Sequence, residues 1–138
     1  TKKLPKETLE ALERAEEKTK DNTGLILNFA LNYGGRAEIT QAVKQIAQEV
    51  LDADFSPEDI TKEMIADHLY TESLPRDLRD PDLIIRTSGE IRLSNFLPWQ
   101  AAYSELYFTD VMWPDFGEEA LRSAIVEYSH RHRRFGGV

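Results

Sequence analysis

Apolar residues recur with helical spacing in four stretches of the chain. Residues 5–20 carry leucine and alanine along one face and mostly glutamate and lysine elsewhere, which predicts an amphipathic helix at the surface. The same kind of spacing predicts helices over residues 36–51 and about 118–133. Ser56 and the proline after it are typical of a helix start, and we expect this helix to reach about residue 70.

Three largely apolar runs predict β-strands between these helices. They cover residues 25–33, 81–86 and 105–108, and such runs are typical of strands buried on both faces of a parallel sheet. A short helix is predicted over residues 95–102. The order of elements indicates an α/β fold in which helices flank a mostly parallel sheet. Because three strands make a thin sheet, we expect part of it to lie outside this chain or to come from another chain.

The composition narrows the classes of function. A net charge of −8 argues against general nucleic-acid binding, which needs a basic surface. The absence of cysteine excludes disulfides, thiolate metal sites and a cysteine nucleophile, and it fits a reducing compartment. No apolar run reaches the roughly 20 residues that a membrane-spanning helix needs. The 138 residues suit one domain or part of one.

Two arginines and a serine at the end of a predicted strand form a candidate phosphate site. Arg86 closes that strand, and ligands of open α/β sheets bind at the carboxyl ends of strands. Arg92 and Ser94 follow in a loop that contains a glycine. A guanidinium can donate to two phosphate oxygens and a hydroxyl to a third, so these side chains suit a diphosphate. The spacing equally permits Arg86 to pair with Glu90 or Asp82 while Arg92 is merely exposed.

Two further features bear on phosphate chemistry. Glu105 opens the third predicted strand, where its carboxylate could ligate Mg²⁺ or could act as a strand-end cap facing solvent. Residues 131–134 form a basic cluster that could complement the dipole of the last helix or contact phosphate in a neighbouring subunit. The three histidines have no second ligand at zinc spacing, and we interpret them as structural or exposed.

Several motifs together resemble one enzyme family. They are NYGGR at 32–36, PDLIIRTSGE at 81–90, RLSNFLPWQ at 92–100, YSELYF at 103–108, WPDF at 113–116 and RFGG at 134–137. In this order and spacing they resemble the bacterial undecaprenyl diphosphate synthases, which are cis-prenyltransferases. The resemblance covers essentially the whole chain, and the block from Arg86 to Gln100 is long and specific.

The resemblance implies a reaction and a setting. Residues 1–138 would be the C-terminal part of a single catalytic domain. The family elongates an allylic diphosphate, such as farnesyl diphosphate, with isopentenyl diphosphate in cis geometry, and it makes undecaprenyl diphosphate for the lipid carrier of cell-wall synthesis. It also implies Mg²⁺ as cofactor, a homodimer, and a cytoplasmic location with peripheral contact to the cytoplasmic membrane.

The resemblance also assigns roles to residues that match the family's motifs. Arg86, Arg92 and Ser94 look like the clamp for isopentenyl diphosphate, and Leu93 would contribute backbone between them. Glu90 looks like an acid behind the clamp that orients the two arginines.

Three residues outside the clamp also match. Glu105 looks like the family's Mg²⁺-ligating glutamate. Arg134 and Gly136 resemble the family's C-terminal Arg-x-Gly element, which reaches the diphosphate site of the partner subunit.

Two departures limit what the chain is expected to do. The family's N-terminal stretch, with its essential aspartate and allylic-diphosphate loop, is absent, so we expect this chain alone to be inactive. Ile91 stands where some members have a histidine. Two other hypotheses stay open. A non-catalytic partner subunit would tend to lose the clamp residues, and a generic phosphate-binding α/β module would need a nucleophile or base near them.

Overall fold

Four α-helices and two β-strands are the regular elements of the computed structural model, which describes residues 4–52 and 55–131. They are α1 (Lys6–Thr19), α2 (Gly35–Asp52), α3 (Lys62–Ala66), β1 (Leu83–Arg86), β2 (Glu105–Phe108) and α4 (Glu118–Ser129). Short 3₁₀ turns cover Pro57–Asp59, Arg76–Leu78, Gln100–Tyr103 and Trp113–Asp115. The chain divides into two units, Thr1–Tyr33 and Gly34–Val138. Within the described ranges, no helix is long and apolar enough to cross a membrane.

The first unit contains α1, which matches the helix predicted over residues 5–20. The helix follows Pro5 and buries none of its side chains. Its polar residues form exposed pairs along the surface, such as the ion pair between Lys6 and Glu10 one turn apart. The prediction of a solvated surface helix is therefore confirmed.

The apolar run at residues 25–33 was predicted to be a buried strand, and this prediction is wrong for the described structure. The run forms no strand, and the exposed fractions are 91% for Leu25, 69% for Leu27 and 59% for Phe29. A strand that is apolar on both faces needs neighbouring strands, and the described sheet consists of β1 and β2. Without a strand to pair with, the run leaves its apolar side chains uncovered.

The second unit is built on the parallel pair of β1 and β2, which confirms two of the predicted strands. Leu83 lies opposite Glu105 and Arg86 lies opposite Phe108. The pairing continues past the strand ends, because the Thr109 N–H donates to the Arg86 carbonyl at 3.0 Å. A parallel pair requires a crossover connection, and the segment between the strands supplies it. The α/β class and the parallel sheet are as predicted.

Helix α2 carries the most deeply buried face of the second unit. Ala42 is 0% exposed and Ile46 is 3% exposed, one turn apart on the same side of the helix. This side packs against α3, and α4 packs against β2. The remaining buried apolar side chains are those of Leu69, Ile84 and Ala124. Helix α4 therefore packs on the strand pair, and α2 agrees with the helix predicted over residues 36–51.

The helix predicted from Ser56 to about residue 70 is broken into two pieces. The Ser56 side chain caps a single 3₁₀ turn, as its residue type predicts. A second cap follows at Thr61, whose hydroxyl accepts from the Met64 N–H at 3.1 Å. Thr61 has extended backbone angles, φ −109° and ψ 163°, so the helix restarts there and runs only to Ala66.

Two other helix boundaries differ from the predictions. The short helix predicted over residues 95–102 is a 3₁₀ turn at Gln100–Tyr103, because Asn95 and Leu97 have positive φ angles of 68° and 47° that no right-handed helix accepts. Helix α4 ends at Ser129 rather than near residue 133, and its C-cap is His130.

His68 joins α3 to α2 through two hydrogen bonds. Its Nδ1 lies 2.7 Å from the Met64 carbonyl and its Nε2 lies 2.8 Å from Glu49 Oε1. Both partners are acceptors, so both ring nitrogens must carry hydrogen, which is the protonated imidazolium. The hydrogen bond to Glu49, followed by that to Met64, raises the pKa of His68 above its ordinary value. The histidine is structural, as interpreted from the sequence.

Replacing Gly35 by alanine is expected to destabilise the protein. A Cβ atom at Gly35 would lie 2.0 Å from Pro98 Cδ, which is far inside van der Waals contact. Overpacking of this kind typically costs about 1–3 kcal/mol. The measurement is the free energy of unfolding from urea titration. Gly24→Ala is the matched control, because nothing lies within 4 Å of its Cβ position. Equal stability of the two variants would contradict the close approach.

The His68–Glu49 pair is expected to stabilise the protein more at low pH than at high pH. Because the folded pKa of His68 is raised, its contribution is complete below the unfolded value, about 6.5. The contribution is lost as pH rises through the folded value. Glu49→Gln should therefore lower the urea midpoint clearly near pH 6 and little near pH 9. Glu13→Gln, on the exposed part of α1, should lower it at neither pH, and a pH-independent loss for Glu49→Gln would refute the assignment.

Candidate functional site

The loop that leaves the carboxyl end of β1 is attached to the chain that leaves β2. Arg86 is the last residue of β1 and is half-buried. The Ser88 N–H donates to the Val111 carbonyl at 2.9 Å, and the Gly89 N–H donates to the Thr109 carbonyl at 3.0 Å. These bonds hold the first residues of the loop against the end of the neighbouring strand, where α/β folds bind ligands.

The same loop contains an unusual number of residues in the left-handed region. Besides Gly89, the residues with positive φ are Ser88, Ser94, Asn95 and Leu97, at 68°, 49°, 68° and 47°. Left-handed backbone is uncommon outside glycine and persists when surrounding contacts impose it. A Cβ at Gly89 would also lie 3.1 Å from Asp110 Oδ1. The path of this loop is therefore fixed by its contacts rather than by local preference.

The two candidate clamp arginines differ in their partners. Arg92 forms an ion pair with Glu90, and the side chains are 65% and 35% exposed. For Arg86, the described part of the chain supplies no ion pair. The arrangement considered from the sequence, in which Arg86 pairs with Glu90 or Asp82, is thus not observed among the described residues. Arg86 is thus a half-buried cation for which residues 4–52 and 55–131 supply no carboxylate partner.

Leu93 and Ser94 lie at the turn that follows Arg92. The Leu93 carbonyl accepts from the Phe96 N–H at 3.0 Å, which closes the turn, and Leu93 is half-buried. Ser94 is exposed and has a left-handed backbone. The structure thus carries Arg92, Leu93 and Ser94 on one tightly turned segment of the loop that begins at Arg86.

Asn95 attaches this loop to the start of α2, a contact that the sequence analysis missed. Its backbone carbonyl accepts from the Gly35 N–H at 2.9 Å, and its side-chain Oδ1 accepts from the Arg36 N–H at 2.9 Å. The first N–H groups of a helix have no partner within the helix, and here Asn95 satisfies two of them from a distant part of the chain. The only signal in the sequence was an asparagine, a residue that tolerates left-handed backbone and caps helices.

A buried polar cluster lies behind the loop and was also missed. Glu38 is 0% exposed, and its Oε1 accepts from the Tyr70 backbone N–H at 2.7 Å and from Gln100 Nε2 at 3.2 Å. Gln100 Nε2 also lies 3.4 Å from the Thr71 hydroxyl. Gln100 Oε1 is buried with no hydrogen-bond partner among the described residues. An acid in the first turn of a helix usually complements the dipole at the surface, so nothing in the residue pattern indicates that Glu38 is buried.

Glu105 is paired with an arginine of the last described residues. Its Oε2 accepts from Arg131 Nη1 at 2.9 Å, and the same nitrogen donates to the Leu106 carbonyl at 2.8 Å. Arg131 also pairs with Glu127. The hydrogen bonds to Glu127 and then Glu105 raise the pKa of Arg131 further above its ordinary value, so the cation is permanent. Glu105 therefore meets an opposite charge at the start of β2.

Glu105 and Arg86 are not brought together. Glu105 lies opposite Leu83, at the amino end of the strand pair, whereas Arg86 lies at the carboxyl end. A separation of three residues along a strand is about 10 Å. Side chains alternate between faces, so Glu105 shares a face with Leu83 and Arg86 lies on the other face.

Glu105 fits a magnesium ion only as a single carboxylate ligand. No group of three potential metal ligands occurs among the residues that the structure describes. Mg²⁺ in substrate sites often takes one or two carboxylates and completes its shell with phosphate oxygens and water. One oxygen of Glu105 accepts from Arg131, and a carboxylate has lone pairs enough to bind a cation through the other. The donor chemistry is therefore compatible with Mg²⁺ that arrives with a phosphate ligand.

Arg134 and Gly136, predicted to contact a partner's diphosphate site, lie outside the described residues. The last described residue is Arg131, which Leu106 and two glutamates hold at the start of β2. The basic cluster is therefore described only at its first residue, which complements carboxylates rather than phosphate.

Comparison of the sequence with known proteins gives matches along the whole chain. A family model for undecaprenyl diphosphate synthase matches residues 1–136. An isoprenyl transferase of Streptococcus pneumoniae strain R6 is 73% identical over 138 residues, which are 100% of this chain and 55% of that protein. An isoprenyl transferase of Streptococcus mutans strain UA159 is 74% identical over 135 residues, 98% of this chain and 54% of that protein. The chain thus spans about half the length of the curated relatives it matches.

Comparison of the structure with solved structures gives the same answer. Lavandulyl diphosphate synthase from Lavandula x intermedia, solved in complex with dimethylallyl diphosphate, superposes with a TM-score of 0.90 at 39% identity, covering 98% of this chain and 56% of that one. A probable undecaprenyl diphosphate synthase from Campylobacter jejuni superposes with a TM-score of 0.74 at 32% identity, covering 98% of this chain and 59% of that one.

Proposed function

Because the chain belongs to the undecaprenyl diphosphate synthase family, we propose that residues 1–138 are the C-terminal part of a single cis-prenyltransferase catalytic domain. In this proposal the intact enzyme adds isopentenyl diphosphate to an allylic diphosphate, such as farnesyl diphosphate, with cis geometry. Its product is undecaprenyl diphosphate, for the lipid carrier of cell-wall synthesis. The whole-length family match supports the reaction class, and the coverage of about half of each relative supports the assignment as part of a domain.

The observation that carries the proposal is the environment of Arg86. It is a half-buried arginine at the carboxyl end of a parallel strand, and the described residues provide no carboxylate for it. Removing a charge partly from water without a partner is unfavourable, so such a cation suits an anionic ligand. A guanidinium binds two phosphate oxygens at once. We infer that Arg86 binds the diphosphate of isopentenyl diphosphate.

Arg92, Leu93 and Ser94 complete the proposed clamp from the following loop. Arg92 would donate to the same diphosphate, Ser94 would donate its hydroxyl, and Leu93 would contribute backbone between them. Glu90 pairs with Arg92 in the described structure, which supports its proposed role of orienting the arginine. The tight turn at Leu93 also limits the backbone entropy that binding would otherwise remove.

Positioning and charge neutralisation are the chemistry that these residues would perform. Loss of diphosphate from the allylic substrate leaves a cation, and the double bond of isopentenyl diphosphate must be held close to it. Fixed arginines hold the nucleophilic substrate through its diphosphate without transferring a proton. The chain would therefore orient one substrate, and the allylic diphosphate would be bound by another part of the enzyme.

Mg²⁺ is the proposed cofactor, and Glu105 is the residue of this chain that would ligate it. When bound, Mg²⁺ would neutralise the charge of the departing diphosphate. One carboxylate oxygen of Glu105 would bind the ion while the other stays paired with Arg131. This fits the donor chemistry described above and adds no second protein ligand from the described residues.

The finer assignments concern partners and location. We propose a homodimer in which Arg134 and Gly136 of each chain reach the diphosphate site of the other. We also propose a cytoplasmic enzyme that touches the cytoplasmic membrane peripherally, since its long polyprenyl product is insoluble in water. The acidic composition argues against general nucleic-acid binding, and a small anionic substrate would be bound by the local arginines despite the net charge of −8.

Arg86→Ala in the intact enzyme is expected to raise the KM for isopentenyl diphosphate by about 10- to 100-fold, the loss typical of a charge-assisted hydrogen-bond pair. The measurement is incorporation of labelled isopentenyl diphosphate. Arg14→Ala, on the exposed part of α1, is the control and should leave KM unchanged. An unchanged KM for Arg86→Ala would end the clamp assignment.

The 138-residue chain alone should show no incorporation, and incorporation by it would refute the domain assignment.

Glu105→Gln is expected to raise the Mg²⁺ concentration needed for half-maximal activity, because a neutral amide is a weaker ligand than a carboxylate. The measurement is a Mg²⁺ titration of initial rates. Glu127→Gln is the matched control, because Glu127 is the other carboxylate partner of Arg131 and is assigned no metal. If both variants shift the titration equally, Glu105 acts through Arg131 and is not a magnesium ligand.

A further inference from the structure

The first turn of α2 and the loop after Arg92 are in direct contact at the backbone. Two successive N–H groups of the helix, those of Gly35 and Arg36, donate to the carbonyl and to the side-chain Oδ1 of Asn95, each at 2.9 Å. Asn95 therefore acts as an N-cap that comes from a segment about 60 residues away in sequence. One residue both ends the Arg92–Ser94 segment and caps a helix of the core.

On the helix side, the contact leaves little room for side chains. A Cβ at Gly34 would lie 3.2 Å from Asn95 Nδ2, and a Cβ at Gly35 would lie 2.0 Å from Pro98 Cδ. The two glycines thus let the loop approach the helix more closely than any side chain would permit. Five residues further on, Gln100 donates to Glu38 of the same helix turn. The loop is fixed to α2 at two points, Asn95 and Gln100.

The contact also determines the backbone of the loop. Ser94 and Asn95 have φ angles of 49° and 68°. Two adjacent left-handed residues are unfavourable without glycine, at about 1–2 kcal/mol each for most residue types and less for asparagine. The hydrogen bonds to α2 are the described interactions that hold Asn95 in this conformation. Because Ser94 is covalently next to it, the conformation of Asn95 sets where the Ser94 hydroxyl and the backbone of Leu93 lie.

We propose that Asn95 is a positioning residue, which caps α2 and thereby holds the Arg92–Ser94 segment in the geometry that binds the diphosphate of isopentenyl diphosphate. The inference rests on the proposed function, because the role given to this loop depends on the proposed clamp of Arg86, Arg92 and Ser94. Asn95 acts through its neighbours and is not itself assigned a contact with substrate. Its chemistry suits the task, since a neutral amide oxygen caps a helix without adding negative charge beside a diphosphate.

The test uses the intact enzyme and three variants. Asn95→Gly allows the left-handed backbone and keeps the carbonyl that accepts from Gly35, and it removes the side-chain amide with its Oδ1 acceptor. Asn95→Ala removes the same acceptor and adds the strain of a side chain at φ 68°. Asn22→Ala makes the same chemical change at an exposed position of the first unit. The readouts are KM for each substrate, kcat, and hydrogen exchange of the Gly35 and Arg36 amides.

The expected result is a rise of about tenfold in the KM for isopentenyl diphosphate for Asn95→Gly, the effect of one hydrogen bond lost from a fixed site. Asn95→Ala should raise it further, and the KM for the allylic diphosphate should not change. The Arg36 amide should exchange faster in both variants, whereas Asn22→Ala should match the wild type. A variant that was only less stable would lose active enzyme and so lower kcat, with both KM values unchanged.

Two outcomes overturn the inference separately from the proposed function. If the wild type elongates an allylic diphosphate with isopentenyl diphosphate and Asn95→Gly shows the same KM, Asn95 is not a positioning residue although the proposed function stands. If the Arg36 amide exchanges at the same rate in the wild type and in Asn95→Gly, the capping contact is absent. If the wild type neither binds nor incorporates isopentenyl diphosphate, the proposed function fails, and the inference fails with it.

Discussion

A carboxylate with no exposed surface joins the separate parts of the second unit. Glu38 comes from the first turn of α2, accepts from a backbone N–H at Tyr70 ahead of β1, and accepts from Gln100 ahead of β2. A buried polar side chain is destabilising unless its hydrogen bonds are made. Because both donors come from other segments, these bonds tie the first turn of α2 to the chain ahead of each strand.

The loop from Arg86 to Asn95 is held by the same elements. It starts at the carboxyl end of β1, is bonded to the chain after β2 through Ser88 and Gly89, and is bonded to α2 through Asn95. Loops that bind ligands gain precision when rigid elements support them from several sides. Arg86 belongs to a strand and Arg92 to the supported loop, so the backbone that carries the two proposed diphosphate-binding arginines is held by neighbouring elements.

The sequence predicts correctly those elements whose signals lie within a short stretch of the chain. Helices α1 and α2, both strands of the pair and the cap at Ser56 follow from periodicity and residue type. The run at 25–33 failed because its state depends on neighbouring strands, which no local pattern contains. Glu38 and Asn95 were missed for a related reason: a first-turn acid and a loop asparagine have ordinary local explanations, and only the fold shows that their partners lie 32 and 59 residues away. Glu105 was recognised as a strand-end acid, but its pairing with Arg131 depends on where α4 ends.

The exposed run at residues 25–33 also bears on how such a protein must be made in a cell. Residues 25–31 are rich in leucine, isoleucine and phenylalanine and contain neither proline nor charge. A segment of this kind pairs readily with any free strand edge, including that of an identical chain. A chain that leaves this run uncovered is therefore prone to associate with other copies of itself while it is being made.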